Sequence, residues 1–348
     1  MNLKKCLLAL VAGSVFFVSC SSDDDNNNIE PTGAYKDGTF ILNEGNSAPS
    51  TASVTFLGDN GSVENDIYTS VNPGKPGLGT YLQDLFFSDD KVFIISGSAN
   101  KVTVVNRYTF EYIATVDTNL ENPRYGAVSN GKAYITNYAS SSTGADDFLT
   151  VINLSDYSTS KVALNNWSEK IIEENGKLYI SNGFYGSGTS ITVFNPSTNA
   201  TERVIELGAS PESFEEEDGI LYVLGGGKLS RINLATNQVS GSITLPEAFT
   251  YSAQNLSIED NKLYFTSSTS VYSMPLNSVT IPTTPLLTYT STSEYGAMYG
   301  FSVNDGKIYI ADGGDFSSDS EIYTYSLTGT LLNAYTVGVG PNGFYFND

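Results

Sequence analysis

The sequence predicts an all-β fold, a seven-bladed β-propeller whose ring is closed by C-terminal strand pairing with the N-terminal blade. Three observations carry that expectation. A turn-plus-strand unit recurs seven times, its spacing is that of a blade, and each chain end carries part of one unit. The unit is clearest at Asn304-Asp305-Gly306-Lys307-Ile308-Tyr309-Ile310. Asp-Gly supplies the positive φ that a hairpin turn demands. The run that follows is β-branched and aromatic, as strands prefer. Further copies stand at 88–94, 129–135, 174–180, 217–223 and 259–265, with a weaker first copy at 36–42. Anchored at positions 39, 91, 132, 177, 220, 262 and 307, the spacings are 52, 41, 45, 43, 42 and 45 residues. A period of about 40–50 residues with Gly/Asn turns belongs to propeller blades. One blade cannot bury its own faces, so the copies must stack. Length alone would suggest two or three domains, but one propeller over 37–348 uses the repeat completely.

The elements follow in chain order. Lys4 and Lys5 precede an apolar run at 7–18, too short to span a bilayer. Residues 1–19 therefore read as a secretory signal. Residues 20–36 are acidic and Asn-rich, with Pro31 and Gly33, and read as a flexible tether. In the second blade, strands are expected at 84–87, 91–95, 101–106 and 111–116. Second strands are nearly continuous apolar runs, as expected where both faces pack on neighbouring blades. Several third strands end in Asn (Asn106, Asn153, Asn195, Asn233), whose side chain can bond local backbone in a turn. The C-terminal segment from Val339 resembles an innermost strand with nothing after it. The copy at 36–42 has a turn but no innermost strand before it. Residues 344–346 are therefore expected to pair beside 40–42, which removes an exposed sheet edge.

Composition excludes several functions. The formal charge is −21, which argues against nucleic-acid binding, since phosphate neutralisation needs a basic surface. There is no His, so imidazole bases, His-containing triads and His-ligated zinc are impossible. The two cysteines, Cys6 and Cys20, both lie at or before the tether, leaving no thiol for a disulfide or nucleophile within the propeller. No carboxylate pair of the glycosidase kind can be picked out. A non-enzymatic protein without cofactor or resident metal is expected.

Register gives a candidate site. Eight residues before the anchors stand Gln83, Arg124, Glu169, Glu212, Gln254 and Tyr299, with Asn342 in the closing blade. Five residues after them stand Glu44, Asn137, Asn182 and Asp312, together with Ser96, Gly225 and Ser267. In a propeller these positions share one face. Tyr81, Tyr125, Tyr138, Trp167, Phe184, Tyr185, Tyr251 and Tyr295 sit close by in sequence. Polar groups among flat aromatics suit a large, partly polar small molecule. The bland alternative is that strand starts near solvent are polar anyway. Lys91, Lys132, Lys177, Lys262 and Lys307 fall on the opposite face, where Lys is also an ordinary solvated turn residue. Glu215-Glu216-Glu217-Asp218 reads as a solvated run. Asp312 with Asp315 and Asp319, and Asp146 with Asp147, offer oxygen ligands of the calcium type but match no established loop spacing.

Several stretches resemble known groups. Phe17-Val18-Ser19-Cys20 resembles a bacterial lipoprotein signal, which implies a lipid anchor at Cys20. Ser21-Ser22-Asp23-Asp24-Asp25 resembles the surface-export tag of Bacteroidetes lipoproteins. Asn-Gly-Lys-Leu-Tyr-Ile-Ser-Asn at 175–182 is similar to YncE-like seven-bladed propellers. Phe40-Ile41-Leu42-Asn43-Glu44-Gly45-Asn46, followed by Ala52-Ser53-Val54-Thr55-Phe56, resembles the BtuG branch of surface lipoproteins. That resemblance implies an outer-membrane location facing the exterior. It also implies capture of cobalamin or a related corrinoid, and delivery to a TonB-dependent transporter. The alternatives are a cell-surface interaction or adhesion propeller, or capture of another nutrient such as a glycan or siderophore.

Overall fold

The computed structural model describes residues 32–47, 50–184, 186–250 and 252–347. The expected signal peptide, Cys20 and the acidic run behind it lie outside the described residues, as do Tyr185 and Tyr251. Residues 32–348 form one compact unit. Its described residues fold into seven four-stranded antiparallel sheets, the blades of a seven-bladed propeller. The second blade runs Leu82–Ser88, Lys91–Ser96, Lys101–Asn106 and Tyr112–Val116 from the channel outward, close to the expected strands.

The turns explain the repeat. Asn130-Gly131, Asn175-Gly176, Asp218-Gly219, Asp260-Asn261 and Asp305-Gly306 all take positive φ at both residues. That is the two-residue hairpin whose twist matches the flanking strands. The Asn residues ending the third strands cap the next turn. Asn106 Oδ1 accepts from Tyr108 N and Thr109 N, each at 2.9 Å. Asn153, Asn195 and Asn233 accept in the same way from Ser155 N, Ser197 N and Thr236 N.

Second strands are the buried layer. After its leading Lys, each residue of Lys91–Ser96, Lys132–Asn137 and Lys307–Asp312 is buried. The apolar clusters lie between blades. Phe93 and Ile95 of one blade pack with Ala133 and Ile135 of the next. Tyr134 and Leu149 pack with Leu178 and Ile180 in turn.

The ring closes as the sequence predicted. Pro341–Asn347 pairs antiparallel with Gly38–Asn43, with Phe344 opposite Ile41 and Tyr345 opposite Phe40. Tyr309 of the preceding blade holds the closing strand, its ring 5.5 Å from Phe344 and 5.2 Å from Phe346. The fully buried Asn347 donates to the carbonyls of Tyr35 and Arg107 and accepts from Arg107 Nε. Tyr35, read from sequence as the end of the tether, belongs to the core instead. It packs edge-on against Phe56 at 5.1 Å and Phe110 at 5.9 Å. A short helix, Ile67–Val71, was not signalled by any repeat; it buries Ile67 and Tyr68 in the first cluster.

Removing residues 341–348 should expose the inner edge of Gly38–Asn43 and cause loss of cooperative melting with aggregation, read by calorimetry and light scattering. Phe344→Ala should cost about 3 kcal/mol, the range for truncating a buried aromatic. A truncated chain that melts like the full one would contradict closure by this strand.

Candidate ligand-binding site at the channel mouth

Four of the innermost strands begin with irregular pairing. The ladder shifts between Leu82 and Asp84, between Pro123 and Gly126, between Gln254 and Leu256, and opposite Pro341 and Gly343. The residues left between are Gln83, Arg124 with Tyr125, Asn255 and Asn342. A bulge releases a side chain from the strict alternation of the strand and re-aims it. All seven residues of the predicted ring, together with Glu44 and Tyr125, line one cavity of about 1230 Å³. Further along the same strands it is lined by Asp84, Lys170 and Glu215, and by Phe86, Ile172, Phe214 and Phe301.

The ring is tied together by hydrogen bonds. Arg124 forks onto Glu169, Nε to Oε2 at 3.1 Å and Nη2 to Oε1 at 2.8 Å. Its Nη1 donates to Gln83 Oε1, and Gln83 Nε2 donates to the Tyr125 hydroxyl at 3.0 Å. The guanidinium lies 4.7 Å from the centre of the Tyr138 ring. Two-pronged bonding and stacking fix an Arg that would otherwise sample many rotamers. Elsewhere on the ring, Tyr299 donates its hydroxyl to Glu44 Oε2 and sets its ring edge-on to Phe316 at 4.9 Å. Asn342 Nδ2 donates to Leu82 O at 2.8 Å, while its Oδ1 is buried without a partner.

Burial shapes the chemistry of the ionisable groups. Asp84 accepts from Gly126 N at 2.9 Å and from the Tyr345 hydroxyl at 3.0 Å. Even so, burial pushes its carboxyl up to about 7. Glu215 is likewise pushed up to about 7 by burial, with the charge of Lys170 opposing. Burial also raises Glu44 and Glu212. The phenols of Tyr125 and Tyr299 are raised too, by burial first and by Glu169 and Glu44 next, so both stay neutral, Tyr125 accepting from Gln83 and Tyr299 donating to Glu44. Gly126 is required where two innermost strands meet, because a Cβ there would stand 2.2 Å from the Phe86 ring.

Four predicted site residues do not line the cavity. Asn137 is fully buried; its Nδ2 donates to Thr150 Oγ1 at 2.9 Å and its Oδ1 accepts from Glu121 N at 2.9 Å. Asn182 is equally buried, donating to Trp167 O and accepting from the hydroxyls of Ser190 and Thr192. These Asn side chains join second strand to third. Asn43 does the same with Ser53 and Thr55, so the first copy aligns one residue earlier than its sequence anchor. Glu44 therefore stands just past its strand, which is why it reaches the mouth. Asp312 is buried and caps Gly314 N at 2.9 Å. Trp167 stacks behind Phe184 at 4.8 Å, and Phe184 in turn lines the cavity.

The calcium candidates bond backbone amides instead, Asp315 in a local turn and Asp147 across to a distant segment. Asp315 accepts from Ser317 N and Ser318 N, each at 2.9 Å, and Asp147 accepts from Ser168 N at 2.8 Å. Among the described residues no acidic group of metal-binding size gathers. The repeat does not single out Asp84, Lys170, Glu215 or Tyr345, and Glu215 lines the cavity rather than belonging to a solvated run. The available signal was a charge or phenol on an innermost strand, one or a few steps past a ring residue.

Fold and site together define a propeller with a polar-mouthed central pocket. The chain belongs to the family described as Domain of unknown function (DUF5074), whose pattern matches residues 37–346. No curated protein matches it. Among solved structures, it is similar to a quinonprotein alcohol dehydrogenase-like protein from Bacteroides thetaiotaomicron. Identity there is 17%, coverage is 90% of this chain and 79% of that one, and the TM-score is 0.68. It is also similar to BamB from Moraxella catarrhalis, at 12% identity, 89% and 85% coverage and a TM-score of 0.52. Dihydro-heme d1 dehydrogenase NirN matches at 13% identity, 91% and 78% coverage and a TM-score of 0.57. At these identities the likeness is one of fold, and no dehydrogenase activity carries over with it.

Two outcomes follow for the site. A carboxyl raised by folding favours the folded state while protonated, and that contribution is lost as pH rises through the folded value. Melting temperature should therefore fall between about pH 4, the ordinary carboxyl value, and about pH 7, and an Asp84→Asn/Glu215→Gln double variant should flatten that fall. An unchanged slope would contradict the burial of these groups. Asn182→Ala should cost about 1–3 kcal/mol, because it leaves buried Ser190, Thr192 and Trp167 groups unpaired, read by denaturant melts.

Proposed function

We propose that this protein captures a large, hydrogen-bonding small-molecule nutrient, cobalamin or a related corrinoid, in the channel mouth. It then hands the ligand to a TonB-dependent outer-membrane transporter. The supporting observation is the cavity of about 1230 Å³ lined by residues from all seven blades. Small-molecule pockets commonly measure about 300–1,000 Å³, so this one suits a ligand at the top of that range. A corrinoid is a flat macrocycle fringed with primary amides, each bringing two donors and one acceptor. Glu44, Glu212 and Gln254 offer acceptors to such amides, and the rings of Tyr125 and Phe184 line the same cavity. The Arg124–Glu169–Gln83–Tyr125 network is already assembled, which lowers the ordering cost of binding.

In this reading Cys20 carries the lipid anchor, the tether sets the mouth beyond the outer membrane, and no reaction is catalysed. One observation favours a second reading, a surface interaction propeller. Tyr295, beside Phe316 near the mouth, is 80% exposed, as befits a ring that meets a protein partner.

Titration calorimetry of the mature protein with cyanocobalamin tests the proposal. Binding should be one-to-one. Tyr299→Ala should weaken it by about tenfold or more, and Trp167→Ala by less, since Trp167 acts through Phe184. No heat and no thermal stabilisation would discard the corrinoid and leave the interaction reading. Cys20→Ala should move the protein out of the membrane fraction.

A further inference from the structure

A bulky residue stands at the mouth in a backbone conformation that suits Gly or Asn. Gly340, Tyr81 and Asn122 each precede an innermost strand, in three adjacent blades. All three take left-handed φ, at 64°, 53° and 47°. One backbone bond marks the shared place. Glu44 N donates to Gly340 O at 2.8 Å, Gly97 N to Tyr81 O at 3.1 Å and Tyr138 N to Asn122 O at 3.2 Å. Gly and Asn take this conformation at little cost, whereas a bulky side chain is strained there. Such strain persists only where the surroundings impose it. Here the preceding carbonyl, that of Thr80, accepts from Ser96 Oγ at 2.7 Å and from Ser98 Oγ at 3.0 Å.

Other bulky residues at left-handed φ are repaid by packing. Phe110 and Met298 are buried in apolar clusters, Tyr157 packs against a third, and Phe316 meets Tyr299 edge-on. Tyr81 differs. It lines the cavity and is 40% exposed. Among the described residues its ring has no ring partner and its hydroxyl no hydrogen bond. The aromatic groups further along the rim are committed to one another, Tyr138 lying edge-on to Phe184 at 4.7 Å. The fold gains nothing from the Tyr81 side chain that Gly or Asn would not supply. A ligand does gain from it, because a Tyr ring offers a large rigid face at little cost in entropy, with a polar tip that stays wet.

We propose that Tyr81 is a ligand contact of the mouth, its ring laid on a flat face of the bound molecule. This rests on the reading of the mouth as the binding face and adds a residue and a ligand shape. The full chain in detergent micelles, titrated with cyanocobalamin and with riboflavin, a flat molecule unrelated to corrinoids, tests it. At least one of the two should bind one-to-one. Tyr81→Gly and Tyr81→Asn should each weaken that binding by about tenfold or more. Tyr81→Phe keeps the ring and should cost no more than about threefold. Without ligand, Tyr81→Gly should melt at the wild-type temperature or above it, because the left-handed strain is relieved. Leu331→Ala trims an exposed side chain from an outermost strand and should leave affinity within about twofold.

A lower melting temperature for Tyr81→Gly would make Tyr81 a residue of the fold and overturn the assignment. So would unchanged affinity in either truncation, equal weakening by Leu331→Ala, or wild-type protein that binds neither molecule. Cyanocobalamin binding that ignores Tyr81 would overturn the contact and leave corrinoid capture standing. Riboflavin binding that depends on Tyr81, with no corrinoid binding, would support the contact and discard the corrinoid.

Discussion

The structure depends on one pairing, that of Pro341–Asn347 with Gly38–Asn43. Without it the ring would have two open edges. The pairing also completes the mouth, because both chain ends contribute to it. Glu44 N donates to Gly340 O at 2.8 Å, and Leu82 N donates to Glu44 O at 3.0 Å. Asn342 reaches the same Leu82 through its side chain. The carboxylate that Tyr299 bonds, and the amide that faces the cavity beside it, are thus brought in by closure. Stability and site geometry share one cause.

Ring symmetry sets where polar groups can stand, and the bulges set how far they depart from the strand pattern. A regular innermost strand would alternate between channel and neighbouring blade. Slipping the ladder at Gln83, at Arg124 and Tyr125, and at Asn342 frees those side chains for the mouth. The result is uneven. Blades around Arg124 carry a finished network, whereas the blade with Glu212 and Glu215 carries carboxylates that remain open to a ligand. A site built this way is part fixed scaffold and part unmet demand, which is what selective binding of one molecule requires.

Much of this was legible in the sequence. The Asp-Gly and Asn-Gly turns fixed blade number and register, because positive φ is a local demand that few residues meet. Counting back from those turns located seven ring residues on one cavity. The count failed where local geometry departs from the repeat. In the first copy the strand starts at Gly38, so Asn43 takes the structural place and Glu44 is pushed into the mouth. Asn137, Asn182 and Asp312 look like mouth residues because they are polar at strand ends. They are satisfied internally, and partner atoms are not visible in a repeat. Glu215 was lost in a run of acids whose alternation across a strand gives its members different surroundings. Tyr35 was hidden by the polar composition of the segment before it.

Hydrogen exchange of the mature chain with and without saturating cyanocobalamin tests most directly whether the mouth is the ligand-binding face. The account predicts added protection at the starts of the innermost strands, around Gln83, Arg124, Glu212, Tyr299 and Asn342. The turns bearing Lys132, Lys177 and Lys307 should exchange unchanged. Protection confined to those turns, with the mouth unaffected, would contradict it.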